Sequence, residues 1–295
     1  MNAEGAFVDR LAALVEQRRS QVCLGLDPDP ATLAGATDAE AEPGRAAADA
    51  VVRSCDELIA AAGPACAAVK PQLACFERLG PHGWEALHEV CRLARDAGLA
   101  VIADGKRGDV PHTAAAYAQA MFAGTETPWG RAPGLRADAA TVNVLLGGDA
   151  LDPLVDAAAE AGAGLFAVVR SSNPGAADLL DLDAGGAPLF ERVAALVDSR
   201  AGRLAGDCGL SGMGAVAGAT EPHHLGRLRE LMPKSVFLVP GVGAQGGRPE
   251  ELAPAFGPHP ASVLVAASRS IAGADDPASA AEELRKRVWE LGAGR

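Results

Sequence analysis

Eight short apolar runs, alternating with amphipathic or Ala-rich stretches along 295 residues, predict an α/β fold whose parallel sheet closes into a (β/α)8 barrel. Two further observations point the same way. The runs are apolar along their whole length, as strands buried on both faces are, and charged residues gather where the runs end. An open doubly wound sheet is the competing arrangement of such units. The length suits a single domain spanning 1–295.

The elements follow in order. AFVDRLAALVEQRR places Phe7, Leu11, Leu14 and Val15 on one helical face, which predicts an N-terminal helix capping the bottom of the barrel. Strands are expected at 21–26 (QVCLGL), 66–70 (CAAVK), 99–104 (LAVIAD), 139–144 (AATVNV), 164–169 (GLFAVV), 214–219 (GAVAGA), 235–240 (SVFLVP) and 262–267 (SVLVAA). Among the helices between them, GWEALHEVCRLARDAG takes its apolar face from Trp84, Leu87, Val90, Cys91 and Leu93, with Gly98 as the C-terminal stop. Two stretches exceed the repeat, 28–45 and 124–138. Both read as surface excursions too short for a second domain.

Composition narrows the function classes. At 49% hydrophobic and 22% charged residues the chain reads as folded and globular. A formal charge of -12 argues against a nucleic-acid partner, although a local cluster of cations can still hold a small anion. The six cysteines form no C-x-x-C pair and sit mostly among apolar residues, so reduced core thiols are expected rather than a zinc site or disulfides. The start lacks a basic segment followed by an apolar run, and no stretch approaches about 18 apolar residues. A cytoplasmic protein without a membrane span is the expectation.

A barrel of this kind carries its chemistry at the C-terminal strand ends, with phosphate held after the last two strands. Here strand one ends in Asp27, strand two in Lys70, strand three in Asp104 and Lys106, and strand five in Arg170 before SSNPG. Asp104 and Lys106 are two apart, so an extended chain shows both on one face. The plain alternatives are a strand-end salt bridge there and, for Lys70, a lysine reaching out to solvent. Strand seven runs into PGVGAQGGRPEELA, where Gly241, Gly243, Gly246 and Gly247 would let backbone N–H groups converge before a helix near Arg248 and Pro249. Such a turn is also an ordinary βα connection. Arg269 after strand eight would lie beside it as a bidentate cation. There is no G-x-x-x-x-G-K-[ST] segment and no G-x-S-x-G elbow. The six histidines are scattered, and His223 and His224 at a helix start are expected on the surface. No required metal and no Ser or Cys nucleophile is expected.

Taken together, LGLDPDP, AVKPQLACFE, DGKRGDVPHTAAAYA, VAGATEP, LVPGVGAQGG and AASRSI resemble the orotidine 5'-phosphate decarboxylases. The likeness is greatest to the longer bacterial subgroup with KPQ, KRGD and SSNP, in the family's order over essentially the whole chain. D-x-K-x-x-D alone also occurs in related sugar-phosphate barrels. The resemblance implies decarboxylation of orotidine 5'-phosphate to uridine 5'-monophosphate, the last step of de novo pyrimidine synthesis, with no cofactor. It implies an alternating catalytic array of Lys70, Asp104, Lys106 and Asp109, with Lys106 as proton donor to C6. Asp109 would reach into the neighbouring subunit's site of a homodimer, and Thr113 would contribute across the same interface. Asp27 would bind the ribose hydroxyls, and Ser172, Gln245, Gly246 and Arg269 the rest of the substrate, Gln245 and Arg269 at the phosphate. Val110 stands where the family often has Ile, and TVNVLLGGDAL departs from the SPYLG type, so Asn143 has no assigned role. Arg107 is expected at solvent or the subunit interface. Two other readings remain. One is a magnesium-dependent sugar-phosphate decarboxylase or aldolase, whose resemblance breaks at Lys70, where those relatives tend to hold metal with an acid. The other is a non-catalytic barrel that binds a phosphorylated ligand.

Overall fold

Strands buried on both faces must find partners on both edges, and eight of them do so here by closing on themselves. The computed structural model describes residues 5–33, 42–243 and 245–293. Its strands are β1 (Val22–Leu26), β2 (Ala68–Pro71), β3 (Ala100–Arg107), β4 (Ala139–Val142), β5 (Gly164–Arg170), β6 (Ser211–Ala217), β7 (Ser235–Pro240) and β8 (Val263–Ala267). All neighbours pair in parallel, and β1 meets β8 at Val22 and Val265 to close the barrel. Every expected strand is present. The bounds differ most at β6, which runs from Ser211 to Ala217 rather than over 214–219, and at β3, which runs on to Arg107.

The alternation of side chains along each strand splits the apolar residues into two cores. One lies outside the sheet, between strands and surrounding helices, and contains Leu24, Val69, Val101 and Val265. The other fills the barrel and contains Cys23, Ala68, Ile102, Ala139, Phe166, Val236 and Leu264. The helix Phe7–Arg18 belongs to this inner core through Phe7, Val8, Leu11, Ala12 and Val15, with Phe7 edge-on to Phe166 at 6.1 Å between centroids. It closes the N-terminal end of the barrel, as expected, and leaves the other end open to ligands.

The helix Gly80–Asp96 buries Gly83, Ala86, Leu87, Val90, Cys91 and Ala94, a stripe at three- and four-residue spacing. Trp84 lies one position off that stripe and is 43% exposed, which corrects its expected place in the apolar face. Gly98, at φ +70, ends this segment with its N–H on the Arg95 carbonyl. Of the two excursions, 124–138 forms an antiparallel hairpin outside the barrel, Thr125–Thr127 with Gly130–Ala132. The other, 28–45, lies partly outside the described residues. Among the described residues no helix is long and apolar enough to cross a membrane. The six cysteines are free, and burial pushes the Cys23, Cys55 and Cys91 thiols up to about 12.

Candidate active site

The inward-facing positions of the first four strands place the site. Cys23, Ala68, Ile102 and Ala139 lie in the inner core, and two residues further along each strand stand Gly25, Lys70, Asp104 and Thr141. These four line a cavity of about 940 Å³ at the C-terminal end of the barrel. On β2 and β3 the chain thus changes from apolar to charged over two residues. Gly25 lies beside Lys70 in register, and a Cβ there would come within 2.7 Å of the Ser268 Cβ, so the position has no room for a side chain.

Asp104 is the centre of the charge network. One carboxylate oxygen takes the Lys70 ammonium at 2.5 Å and the Gln72 amide at 3.3 Å. The other takes the Lys106 ammonium and the Thr141 hydroxyl, each at 2.7 Å. Burial alone would raise the Asp104 pKa, but the two ammonium groups and their hydrogen bonds outweigh it and hold the carboxyl at about 2. Burial also opposes the charge on Lys70, yet Asp104 and Asp27 push its pKa above the ordinary lysine value. Lys70 is therefore a buried lysine paired with Asp104, not one reaching for solvent.

The contact between Asp104 and Lys106 forms differently from the expectation of a continuous extended strand. The register of β3 against β4 shifts between Ala103 and Arg107, and Lys106 takes a left-handed φ of +45°. This bulge, rather than regular alternation, turns the Lys106 side chain back onto Asp104.

The far side of the cavity is built by the loops after β5, β7 and β8. The Ser172 hydroxyl donates to the Gln245 side-chain oxygen at 2.8 Å, and the Thr220 hydroxyl donates to the Ser172 carbonyl at 3.0 Å. Arg269 and Ser270 line the same region, and Arg269 forms no ion pair among the described residues. The glycine turn departs from expectation. The N–H groups of Gly243, Gly246 and Gly247 bond to carbonyls within the turn, and the segment that follows, Pro249–Ala255, is a 3-10 turn rather than an α-helix. Gly246 is exposed, at φ +92, and does not line the cavity. Gln245, Arg269, Gly241 and Val242 line the cavity beside this turn.

Arg170 is 5% exposed and grips Asp181 through two bonds of 2.8 and 3.0 Å while donating to the Ser171 carbonyl at 2.7 Å. It clasps the SSNP segment instead of pointing freely at a ligand. His223 is exposed, as expected, at the edge of the cavity, and the half-buried His224 also lines it. The His224 ring packs edge-on against Phe190, and burial, with His223 and Arg170 nearby, lowers its pKa. Asp27 stands at the cavity rim. Asp109 and Thr113 are not among the cavity-lining residues, and the Asp109 carboxylate accepts from the Val110 N–H at 2.7 Å. Asn143 is likewise outside it, its side-chain oxygen accepting from the Leu145 N–H at 3.0 Å. Arg107 does not face open solvent: it pairs with Glu77 and lies over the Tyr117 ring at 5.5 Å.

The chain that carries this array has relatives. Residues 20–284 match the model of the orotidine 5'-phosphate decarboxylase / HUMPS family. The chain belongs to this family. It is 41% identical over 273 residues to the orotidine 5'-phosphate decarboxylase of Rhodopirellula baltica, covering 90% of this chain and 87% of that one. It is 42% identical over 267 residues to that of Deinococcus radiodurans, covering 90% and 88%. Among solved structures, Leishmania donovani OMP decarboxylase matches with a TM-score of 0.76 at 33% identity, over 97% of this chain and 98% of that one. A Toxoplasma gondii crystal structure reaches 0.84 at 29% identity, over 98% of both.

Within this member of the family, Gln72 and Thr141 were not anticipated as site residues. Thr141 has a faint signal in the sequence, a hydroxyl at the inward position that follows Ala139 in AATVNV. Among the described residues no cluster of three or more His, Cys, Asp and Glu is placed to hold a metal ion.

Proposed function

We propose that this chain decarboxylates orotidine 5'-phosphate to uridine 5'-monophosphate, the closing reaction of de novo pyrimidine synthesis, using no cofactor. The observation that carries the reading is the network in which the buried pair Lys70–Asp104 holds Lys106 on the barrel rim of a chain some 40% identical to decarboxylases of that name.

The chemistry gives each group a task. The bond from C6 to the carboxylate breaks, carbon dioxide leaves, and the electron pair stays on a ring carbon with no adjacent sink. An ammonium fixed beside that carbon stabilises the pair and then transfers a proton to it, the part assigned to Lys106. Asp104 and Lys70 keep Lys106 in place and the local charge balanced; at about 4 Å and an effective dielectric near 20, one such contact is on the order of 4 kcal/mol before desolvation. Asp27 takes the ribose hydroxyls. Gln245 and Arg269 take the phosphate, with Ser172 tying the loop after β5 to Gln245. Binding energy gathered at the phosphate is then available to hold the reacting ring in place. Asp109 and Thr113, at the rim but outside the cavity, complete the site of a second subunit in a homodimer. We place the enzyme in the cytoplasm, which agrees with its free thiols, and treat residues 1–295 as one domain.

A magnesium-dependent reading is disfavoured by charge: Lys70 occupies the Asp104 oxygen that a divalent ion would need. The experiment is direct. Purified enzyme treated with a chelator and given orotidine 5'-phosphate consumes the orotate absorbance; activity that appears only on adding magnesium favours the alternative, and no consumption in either case removes the proposal.

A further inference from the structure

Lys106 poses a mechanical problem that the charge network alone does not solve. Its side chain is 45% exposed, against 5% for Asp104, so packing does little to hold a long flexible chain at one point. Its backbone sits in the β3 bulge at φ +45°, where the ladder to β4 is broken and its N–H has no strand partner. A residue so placed needs support from outside the ladder.

Thr141 supplies it from both directions. Its hydroxyl oxygen accepts the Lys106 backbone N–H at 2.9 Å, and its hydroxyl hydrogen goes to the Asp104 oxygen at 2.7 Å, the same oxygen that receives the Lys106 ammonium. The result is a closed ring of three hydrogen bonds that runs from the Lys106 main chain through Thr141 and Asp104 back to the Lys106 side chain. Thr141 is 1% exposed and sits on β4 opposite Phe166, so the strand fixes its position.

We propose that Thr141 is a positioning residue for the decarboxylation: its hydroxyl sets the bulged backbone of Lys106 and the Asp104 carboxylate against each other, so that the ammonium is held at the reacting carbon. This inference rests on the reading of Lys106 as proton donor. It asks nothing of Thr141 in binding the nucleotide, so its removal acts on turnover and not on affinity.

The test uses the intact enzyme with three substitutions at one position. Thr141→Val keeps the volume and removes the hydroxyl; Thr141→Ala removes it with less bulk; Thr141→Ser keeps it. The Val and Ala variants are expected to bind uridine 5'-monophosphate within about threefold of wild type, with KM little changed, while kcat falls roughly 30- to 100-fold. Thr141→Ser restores kcat to within about threefold of wild type. The inference is overturned if a folded Val or Ala variant keeps wild-type kcat, if KM rises and nucleotide affinity falls by as large a factor as kcat falls, or if folded Thr141→Ser fails to rescue. It is equally overturned if both hydroxyl-less variants fail to fold while Thr141→Ser folds, since the hydroxyl then serves folding. Lys106→Ala measured alongside separates the two readings: turnover by that variant removes Lys106 itself, whereas its inactivity beside a fully active Thr141→Val removes only the role of Thr141.

Discussion

Asp104 sits between two ammonium groups with almost no water to share the field, so its neutral replacement has two separate effects. In Asp104→Asn, Lys70 is left buried without its nearest counter-charge, which costs about 3 to 5 kcal/mol, and Lys106 loses its anchor, for a fall of about 100- to 1000-fold in kcat/KM. Urea unfolding and steady-state kinetics at pH 7 measure both. The stability contribution also has a definite pH window. With the folded carboxyl at about 2 and an unfolded value near 4, it is fully present above about pH 4 and is lost as pH falls toward 2. The difference in unfolding free energy between wild type and Asp104→Asn is therefore expected to stay constant from pH 7 to about 5 and to narrow below 4. A difference that vanishes between pH 7 and 5 contradicts the assigned charge state. Lys70 and Asp104 were legible as residues because each ends an apolar run. Thr141 and Gln72 were not, because their roles depend on which strand lies alongside at which register and on a bulge that no local pattern announces.

Elements were legible to the degree that burial alone decides them. The eight strands follow from being apolar on both faces, and the capping helix from one apolar stripe. The turn after β7 was not, because Pro249 and Pro254 both lie in the 3-10 segment, Pro254 removing an interior N–H donor, and because the glycine N–H groups donate to glycine carbonyls within the turn. That turn is close-packed as well: a Cβ on Gly247 would lie 2.7 Å from the Ala219 Cβ and 2.8 Å from the Gly241 carbonyl oxygen. Gly247→Ala is expected to push the Gln245 segment outward and raise KM for the phosphorylated substrate about tenfold, with a smaller change in kcat; an unchanged KM removes this turn from phosphate binding. At the opposite end, Arg18 on the capping helix donates to four carbonyls, Gly63 and Cys66 at 2.9 and 3.0 Å and Ala97 and Gly98 at 2.9 and 3.0 Å. It ties two helix ends to the barrel floor. Arg18→Met is expected to lower unfolding stability by about 2 kcal/mol while kcat at 25 °C stays unchanged, since the floor and the site lie at opposite ends of the strands. A loss of activity without a loss of stability contradicts that separation.

The molecule as a whole is a barrel whose floor is sealed by apolar packing and whose rim carries the chemistry, and that division was visible in where charges interrupt the apolar runs. Asp109 and Thr113 stand on the rim outside the cavity, so the proposed shared site is testable by complementation. Lys106→Ala and Asp109→Ala, each inactive alone, are expected to recover roughly a quarter of wild-type activity when unfolded and refolded together, because half of the dimers are then mixed and each mixed dimer has one intact site. No recovery, with mixed dimers demonstrated by co-purification of differently tagged subunits, places Asp109 in its own subunit's site. The measurement that bears most directly on the central claim is made on Lys106→Ala alone. Titration calorimetry with uridine 5'-monophosphate and a turnover assay with orotidine 5'-phosphate should find a folded protein that binds the nucleotide and releases no carbon dioxide. A folded variant that still decarboxylates at a rate comparable to wild type would contradict the account.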